Sequence, residues 1–450
     1  MNRVIAKLVV ATLLFSVVPP LNNVEATSAE EKEVIVPSPQ QEQEIVEKRT
    51  STSQVFKQED GSYKMEIYSE PIHVQDEETK KWEPIDNTLT KTKTGRFHNK
   101  KNEFDASFSS KIKPNQPLMS IEQQGKAVEI ESVDQNGELA AEVPAVVEEN
   151  KVIYKEIYPN TDLSYTVNNS KIKEDILLKE KPSNDKQLEY TFQFNISGLI
   201  LEKTEDGYLY LLDSSSKEHL FAIEKPFMMD SSKPEGFVSN MKTPMPEGAW
   251  SDQIEMYTEQ NGDNLILTLK PDMEWLKASE RVYPVVLDPT VKVFQPKKDL
   301  NDTTIRSALP DTTGGADLEL GAGFHKTSNN IVRSLLQFDV GTLPKGAKIM
   351  SAQLNLHLSS VWNDTSSVIQ LFEMRNAWEE NRATWNRRTL SDLWTNKGGD
   401  YTPVSLSAQT IGALDTSLPA PPLFKWRISA DIVQKWINQP SQNLGLMLKA

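Results

Sequence analysis

The sequence predicts a mainly β protein, with an antiparallel, β-rich N-terminal domain followed by a β-sandwich of the jelly-roll kind. Three observations predict this class. Apolar and polar residues alternate with a period of two in many short segments, Asp-Gly and Asn-Gly turn signals separate these segments, and helical periodicity is rare. Many short strands with little helix are typical of two packed β-sheets.

The composition limits the size and the partners of the protein. At about 150 residues per domain, a chain of 450 residues has room for roughly three domains. Its 49 Lys+Arg and 64 Asp+Glu give a net charge of −15, which is unfavourable for binding phosphate backbones and predicts no nucleic-acid partner. The absence of cysteine excludes disulfides, thiolate metal sites and cysteine nucleophiles.

Residues 1–26 have the pattern of a secretory signal peptide. Arg3 and Lys7 give a positive start, and the apolar run from Leu8 to Val18 follows. That run is shorter than the roughly 20 residues needed to cross a bilayer, so no membrane association is expected after cleavage between Ala26 and Thr27. The alternative is a buried N-terminal helix of the mature fold.

Residues 27–50 are expected to form a disordered acidic linker. Six glutamates, two prolines and no aromatic residue make this stretch too polar to bury a core.

Residues 51–290 are expected to form a β-rich region of one or two domains. Tyr190, Phe192 and Phe194 alternate with polar residues, and Leu265, Leu267 and Leu269 alternate in the same way. One short helix is predicted from Met273 to Lys277.

Residues 291–450 repeat the pattern more sharply. Leu354, Leu356 and Leu358 alternate with polar residues, and a helix is predicted from Ser429 to Ile437, capped by Ser429 or Asp431. Because residues 444–448 alternate like a strand and Ala450 follows at once, we expect this strand to lie at an open sheet edge and the chain to be a fragment of a longer protein.

Seven blocks in the third segment follow one another in a characteristic order: 333–339, 343–349, 351–356, 378–380, 383–386, 431–436 and 443–449. Through these blocks the segment resembles the DNRLRE-type domain of secreted bacterial proteins, a carbohydrate-binding module like those of family 96. The resemblance implies a β-sandwich that binds polysaccharide.

The middle segment is similar to the N-terminal region of wall-associated proteins of the RHS/YD-repeat class. The blocks are 158–163, 173–176 and 283–290. The resemblance implies export, association with the cell wall and a noncatalytic region, whereas any toxin domain would lie beyond residue 450.

Catalytic and metal-binding signals are weak. The five histidines are scattered, and no nucleophile elbow, Walker loop or dinucleotide fingerprint occurs, so we expect no enzyme activity. Asp299, Asp302, Asp311 and Asp317 lie close together in sequence and are oxygen ligands of the kind that calcium prefers, although aspartates are also common in turns. No cofactor other than calcium is suggested.

Tryptophan carries the site hypothesis. Flat aromatic faces suit the faces of sugar rings, and most of the tryptophans fall in the last third of the chain. We expect Trp385 and Trp436 in the core and Trp362 and Trp394 as exposed sugar platforms. Arg306 and Arg387 are expected to add hydrogen bonds to hydroxyls or wall phosphates. The predicted function is noncatalytic polysaccharide binding by a secreted wall protein; the alternative is a structural scaffold for a downstream toxin-delivery shell.

Overall fold

A computed structural model describes residues 5–18, 42–113, 116–132, 142–183, 187–203, 208–232, 249–294, 300–315, 320–325, 329–343, 346–362, 367–411 and 423–450. Within these ranges the chain is mainly β and every recorded strand pair is antiparallel, so the predicted fold class is confirmed. The described residues divide into two compact units. One contains the residues up to 82 together with 300–450, and the other contains those between 83 and 294.

The strands and helices follow in chain order. The first stretch contains β1 (Ile5–Val18), β2 (Gln43–Glu44), β3 (Ser53–Lys57), β4 (Tyr63–Tyr68), β5 (His73–Gln75) and β6 (Trp82–Pro84), with a 3-10 helix at Val46–Lys48. The middle stretch contains β7 (Asp86–Lys91), β8 (Phe97–Lys101), β9 (Asp105–Phe108), β10 (Met119–Gln123), β11 (Lys126–Ser132), β12 (Ala145–Glu148), β13 (Lys151–Tyr158), β14 (Thr161–Val167), β15 (Lys171–Leu178), β16 (Tyr190–Asn195), β17 (Leu199–Lys203), β18 (Leu209–Asp213), β19 (His219–Ile223), β20 (Phe227–Met229), β21 (Trp250–Ser251), β22 (Ile254–Asn261), β23 (Asn264–Pro271), α1 (Met273–Lys277), β24 (Val285–Asp288) and β25 (Val291–Val293). The last stretch contains β26 (Leu300–Arg306), β27 (Leu320–His325), β28 (Asn330–Phe338), β29 (Lys348–Trp362), β30 (Ser367–Glu373), β31 (Ser407–Ile411), β32 (Leu423–Ile428), α2 (Ala430–Asn438), a 3-10 helix at Pro440–Gln442 and β33 (Leu446–Lys449).

The middle unit consists of two antiparallel sheets. One has the order β22-β23-β16-β11-β10-β9-β8-β7, and the other runs β12-β13-β14-β15-β25-β19-β18-β17, with β24, β20 and β21 added beside β15. The predicted alternation places Phe192 and Leu267 in the core with 2% and 1% exposure. The ring centroids of Phe108 and Tyr165, which come from different sheets, lie 5.6 Å apart, so the two sheets share this core.

The other unit is built around one branched sheet, and β5 and β6 form a separate two-stranded sheet. The path of the branched sheet is β2-β3-β4-β1-β27-β28-β33-β30-β31; β26 pairs with β28, and β29 pairs with β1 and β32. Leu354, Leu356 and Leu358 of β29 are buried as predicted. Strand β28 pairs with β26, β27 and β33, whereas β29 pairs with β1 and β32, so these two strands bury residues in one core without being recorded as partners of each other.

Residues 5–18 of the segment predicted as a signal peptide form strand β1. Its backbone pairs with β29 along the whole strand, and on its other side with β4 and β27. Residues 5–18 therefore do not form the buried helix that was the alternative expectation. The predicted cleavage residues Ala26 and Thr27 lie outside the described residues.

Two expected boundaries differ from the structure. Residues 42–50 are ordered rather than part of a linker, because Arg49 forms a two-pronged ion pair with Glu44 and the segment pairs with β3. Val55, Met65 and Ile67, predicted to belong with residues 51–290, are buried in the same core as β26–β33. Apolar strand residues bury where a complementary sheet face exists, which sequence order alone does not specify.

The C-terminal strand is not an edge strand. Leu446 pairs with both Leu336 of β28 and Glu373 of β30, so β33 has a partner on each side and the expected open edge is wrong for residues 446–448. The predicted helix is confirmed at Ala430–Asn438, with Ser429 as its N-cap residue and with Val433 and Trp436 buried.

Candidate functional site

The structure corrects the expected roles of two tryptophans. Trp394, predicted as an exposed platform, is only 5% exposed, and its Nε1–H donates to the backbone oxygen of Thr384 at 2.8 Å. It joins a small core with Phe372 and Met447 because the loop that carries it folds back onto β30 and β33. A ring buried in this way offers no free face to a sugar, so the expectation of a platform is wrong.

Trp385, predicted in the core, is half-buried at the edge of the same cluster. The guanidinium carbon of Arg333 lies 4.9 Å from its ring centroid. Trp436 is buried as expected, at 1% exposure.

The other predicted site residues do not gather at one place. Trp362 ends β29, and its side chain lies outside the described residues. Arg306 ends β26 and is half-buried, and Arg387 donates from Nη1 to the backbone oxygen of Leu390 at 3.0 Å. Trp394, Arg306 and Arg387 do not belong to the linings of the two cavities described next.

A cleft of about 950 Å³ opens beside strands β30 and β33, and we call it the Tyr401 cleft. Its lining consists of polar, charged and aromatic residues: Gln370, Phe372, Arg375, Asn376, Thr395, Asn396, Gly399, Asp400, Tyr401, Pro403, Val404, Ser405 and Lys449. The pairing of Gln370 with Lys449 brings the two strands together at this cleft.

Tyr401 lies close to two cationic side chains, Lys449 of β33 and Arg333 of β28. Its Oη accepts a hydrogen bond from Lys449 Nζ at 2.9 Å, and Arg333 Cζ lies 5.6 Å from its ring centroid. The hydrogen bond from Lys449 and the charges of both cations lower the pKa of the Tyr401 hydroxyl, although partial burial opposes the shift. Phe372 packs against the ring edge-on, with centroids 5.0 Å apart.

Asp400 organises the loop at the bottom of the cleft. Its carboxylate accepts hydrogen bonds from the backbone N–H groups of Thr395 (2.8 Å) and Asn396 (2.9 Å) and from the side-chain amides of Asn376 (2.9 Å) and Asn396 (3.2 Å). Burial disfavours the charged form, but these hydrogen bonds outweigh burial and lower the pKa of Asp400.

The charge that the cleft offers to a ligand is therefore positive. Asp400 is 6% exposed and engaged with its own loop, whereas Arg375 is exposed and Lys449 half-buried at the surface of the cleft. The sequence analysis missed Tyr401 and Arg375 because they belong to none of its blocks, and it gave no role to Lys449, which ends the block 443–449 far along the chain. The only sequence signal for any of them was the alternation along β33, which fixes the face of the sheet on which Lys449 lies.

A second cavity of about 370 Å³, which we call the Trp436 cavity, lies between the end of β28 and α2. Its lining is Asn301, Gln337, Phe338, Asp339, Val340, Gly341, Leu343, Trp436, Ile437, Pro440 and Asn443. It shares no lining residue with the Tyr401 cleft.

The middle unit contains a buried polar cluster built from two of the blocks singled out in the sequence. Strand β15 pairs with β24, which brings Glu174 near Asp288. Burial, with the nearby charges of Asp288 and Asp175, raises the pKa of Glu174 to about 8, and Tyr165 Oη donates to Glu174 Oε1 at 3.1 Å. Lys173 Nζ lies 3.4 Å from Asp288 Oδ2.

The calcium expectation gains no support from the described part of the chain, where no group of three or more histidine or acidic side chains is placed to hold a metal ion. Asp311 Oδ1 instead accepts a hydrogen bond from Asn386 Nδ2 at 2.9 Å. Asp299 and Asp317 lie outside the described residues. No helix within the described ranges is both long and apolar enough to span a bilayer.

Comparison with known proteins bears on the unit that contains both cavities. Residues 294–392 match carbohydrate-binding module family 96. This match supports the resemblance seen in the sequence, and it covers strands β26 to β30 together with the loop that carries Trp385.

Two longer relatives match most of the chain, and a third relative matches less than half of it. It is 25% identical over 391 residues to "tRNA3(Ser)-specific nuclease WapA" of Bacillus spizizenii, covering 82% of this chain and 16% of that protein. It is 25% identical over 370 residues to "tRNA nuclease WapA" of Bacillus subtilis, covering 78% of this chain and 15% of that protein. It is 27% identical over 198 residues to "Wall-associated protein" of Geobacillus stearothermophilus, covering 42% of this chain and 75% of that protein. No solved structure matches the chain.

Proposed function

We propose that this chain is a secreted, wall-associated, noncatalytic protein that binds polysaccharide in the Tyr401 cleft. The observation that carries the proposal is a cleft of about 950 Å³ in the unit whose residues 294–392 match a carbohydrate-binding module. The relative named "Wall-associated protein" supports the location.

The chemistry of the cleft suits a polyhydroxylated chain. The ammonium group of Lys449 and the amides of Asn376 and Asn396 are hydrogen-bond donors, and Tyr401 and Val404 supply apolar surface. An open cleft of this kind accepts the middle of a polymer. We expect modest affinity, with a Kd in the millimolar to micromolar range, or about −4 to −8 kcal/mol.

The charges of the cleft favour an acidic polysaccharide. Arg375 is exposed, and the Lys449 ammonium, which donates one hydrogen bond to Tyr401, has two further N–H groups for a ligand, whereas the carboxylate of Asp400 is satisfied by its own loop. A carboxylate or phosphate on the sugar chain would therefore gain ion pairs, which weaken as salt is added.

Affinity electrophoresis of the full chain in gels containing polygalacturonate, teichoic-acid-bearing wall or neutral dextran tests the proposal. The variant Arg375→Ala/Lys449→Ala is expected to lose about tenfold in affinity for the acidic polymers. The matched control, Lys425→Ala/Arg427→Ala, removes two exposed cations from β32 and is expected to bind like the parent chain. Equal retardation of both variants would place the binding site elsewhere, and no retardation by any polymer would refute polysaccharide binding.

The second candidate function is a structural scaffold for a downstream toxin-delivery shell. The observation that favours it is that the chain aligns with only 16% and 15% of two relatives named as nucleases. For a scaffold, wall association would be insensitive to the cleft variant, whereas the leading proposal expects that variant to be released from purified wall.

Export is proposed from the first 26 residues. Expression of the full chain in a Gram-positive host, followed by mass analysis of the extracellular protein, is expected to give an N-terminus at Thr27. A product retained in the cytosol with Met1 intact would contradict export.

A further inference from the structure

The hydroxyl group of Tyr401 accepts a hydrogen bond on one side of its oxygen and carries its own hydrogen on the other side. Lys449 Nζ donates to Tyr401 Oη at 2.9 Å, and an ammonium group has donors but no acceptor. The hydroxyl hydrogen therefore cannot face Lys449. Among the described residues no acceptor is recorded for it. The O–H group is thus a donor that no described part of the protein uses.

A ligand in the cleft can reach this donor. Tyr401 and Lys449 both line the Tyr401 cleft, and the Tyr401 hydroxyl itself is only partly buried. An ammonium group has three N–H donors, so Lys449 keeps two after its hydrogen bond to Oη. The cleft therefore presents an O–H donor and an N–H donor side by side, on two atoms that lie 2.9 Å apart.

Neighbouring side chains hold this donor pair in place. Phe372 packs edge-on against the Tyr401 ring with the centroids 5.0 Å apart, and Lys449 Nζ lies 5.1 Å from the Phe372 ring centroid. The backbone of Tyr401 also forms a bridge with that of Met374, directly after strand β30, which carries Phe372. Because both donors are positioned before a ligand arrives, little side-chain freedom is lost on binding.

The electrostatics of the donor pair favour an anionic acceptor. The hydrogen bond from Lys449 and the positive charges of Lys449 and Arg333 lower the pKa of Tyr401, and the same polarisation makes its hydroxyl a stronger donor. The one nearby carboxylate that lines the cleft, Asp400, is held by backbone N–H groups of its own loop. Hydrogen bonds that involve an ionised partner are roughly twice as strong as neutral ones.

We propose that Tyr401 and Lys449 form a two-point clamp for one singly charged oxyanion of the bound polysaccharide, a uronate carboxylate or a phosphodiester, and that the Tyr401 hydroxyl determines this specificity. The inference rests on the proposed binding of an acidic polysaccharide in the Tyr401 cleft. The Tyr401 O–H and one N–H of Lys449 donate to oxygens of the same anionic group. A hydroxyl oxygen of a neutral sugar is a weaker acceptor, so a neutral chain gains little from the clamp.

Affinity electrophoresis of the full chain in gels containing polygalacturonate, purified teichoic acid or neutral dextran tests the clamp. Tyr401→Phe keeps the ring and removes only the hydroxyl. It is expected to weaken binding of at least one acidic polymer about fivefold to tenfold, because a hydrogen bond to a charged group is lost. Retardation by dextran is expected to stay unchanged. The polymer whose binding is weakened identifies the oxyanion as a carboxylate or a phosphodiester.

Tyr257→Phe is the matched control. Tyr257 is 51% exposed and also has a lysine near its ring, with Lys270 Nζ 5.2 Å from the centroid, but its hydroxyl already donates to Glu255 Oε2 at 2.6 Å. This variant is therefore expected to bind like the parent chain. If Tyr401→Phe binds the acidic polymers as tightly as the parent chain, the clamp is overturned while polysaccharide binding stands. Failure of the parent chain to bind either acidic polymer would instead refute acidic-polysaccharide binding and the clamp together.

The pH profile of binding separates a hydroxyl that contacts the ligand from one that only supports the loop. The pKa of Tyr401 lies below its ordinary 10.0, so as the pH rises toward that value the hydroxyl loses its hydrogen and the phenolate repels the oxyanion. The affinity of the parent chain and of Tyr257→Phe for the acidic polymer is expected to fall over this range, whereas that of Tyr401→Phe is expected to fall less. Parallel profiles for all three chains would contradict a ligand contact by the Tyr401 hydroxyl.

A double-mutant cycle tests whether the two donors act as one clamp. Lys449→Met removes the ammonium group that orients the hydroxyl. In that background Tyr401→Phe is expected to weaken binding by about twofold or less, against about fivefold to tenfold in the parent chain. Losses that simply multiply would show that Tyr401 and Lys449 act on the ligand independently, and they would overturn the clamp.

Discussion

The guanidinium group of Arg333 stacks on the indole ring of Trp385, with Cζ 4.9 Å from the ring centroid. Arg333 lies on β28, and Trp385 lies in the loop that follows β30, so the contact joins two distant parts of the chain. Arg333 Nη1 also donates to the backbone oxygen of Gly398, which ties the same loop system to the sheet. The planar guanidinium performs both functions at once, which a lysine ammonium does not.

Replacing this arginine tests its role in holding the loops. Arg333→Lys is expected to lower the free energy of unfolding by about 1 kcal/mol, since the stacking on Trp385 and the directed hydrogen bond are both weakened. Urea denaturation measures the loss. Arg427→Lys, at an exposed position on β32, is the control and is expected to show no change. Equal stability of the two variants would show that the stack contributes little.

Trp394 is expected to act on stability and not on sugar binding. Trp394→Phe deletes the hydrogen bond to Thr384 O and is expected to cost about 1 kcal/mol of unfolding free energy. Polysaccharide affinity of the folded variant is expected to stay unchanged in gel retardation. A variant with normal stability and lost affinity would restore Trp394 as a ligand-contacting residue.

Asp400 predicts a pH-dependent contribution to stability. Its pKa is lower in the folded chain than its ordinary value of 3.8, so the ionised group stabilises the fold above that pH and the contribution is lost as the pH falls through the folded-state pKa. Asp400→Asn is expected to cost about 1–3 kcal/mol at pH 7, and the difference from the parent chain is expected to shrink as the pH falls below 3.8. Urea titrations at several pH values measure both.

The exposed Asp105 offers a comparison for that experiment. Asp105→Asn is expected to leave stability at pH 7 unchanged. If Asp400→Asn behaves in the same way, the four hydrogen bonds to its carboxylate contribute no net stability.

Glu174 is expected to give the middle unit a pH dependence of stability opposite to that from Asp400. Its folded-state pKa of about 8 exceeds the ordinary 4.5, so the unfolded chain binds fewer protons than the folded chain between these values and stability falls as the pH rises. Glu174→Gln keeps an acceptor for Tyr165 without a titrating group. It is expected to raise stability at pH 8 by on the order of 1–3 kcal/mol and to flatten the pH dependence.

Urea denaturation at pH 5 and pH 8 measures the free energy of unfolding that checks this prediction. The variant Glu122→Gln, at an exposed position, serves as the control. A parent chain whose stability does not decline between these two values would show that Glu174 titrates normally.

Removal of residues 1–26 is expected to expose one side of β29. In the described structure β1 pairs with β29 from Ile5↔Trp362 to Val18↔Lys348. Hydrogen exchange of the β29 amides that face β1 is therefore expected to be roughly tenfold or more faster in a chain beginning at Thr27 than in the full chain. The amides that face β32 serve as internal controls. Unchanged protection on both sides would show that another segment replaces β1.

The sequence by itself determined the fold class and many of its elements. The period-two alternation around Phe192 and Leu356 identified strands because side chains on a strand alternate between its two faces, and the helix after Ser429 followed from its apolar spacing. These are local properties, and they depend on residues only a few positions apart.

Only the tertiary structure decided which strands share a core and which side chains share a site. Residues of 51–82 share a core with the C-terminal strands. Trp394 is buried, whereas Trp385 is half-buried. Tyr401 accepts a hydrogen bond from Lys449, a residue far along the chain. The physical reason is that strand partners are chosen by the burial of whole sheet faces and by backbone hydrogen bonds between distant segments. A local pattern shows that a residue has an inner face, but not which other residues will cover it.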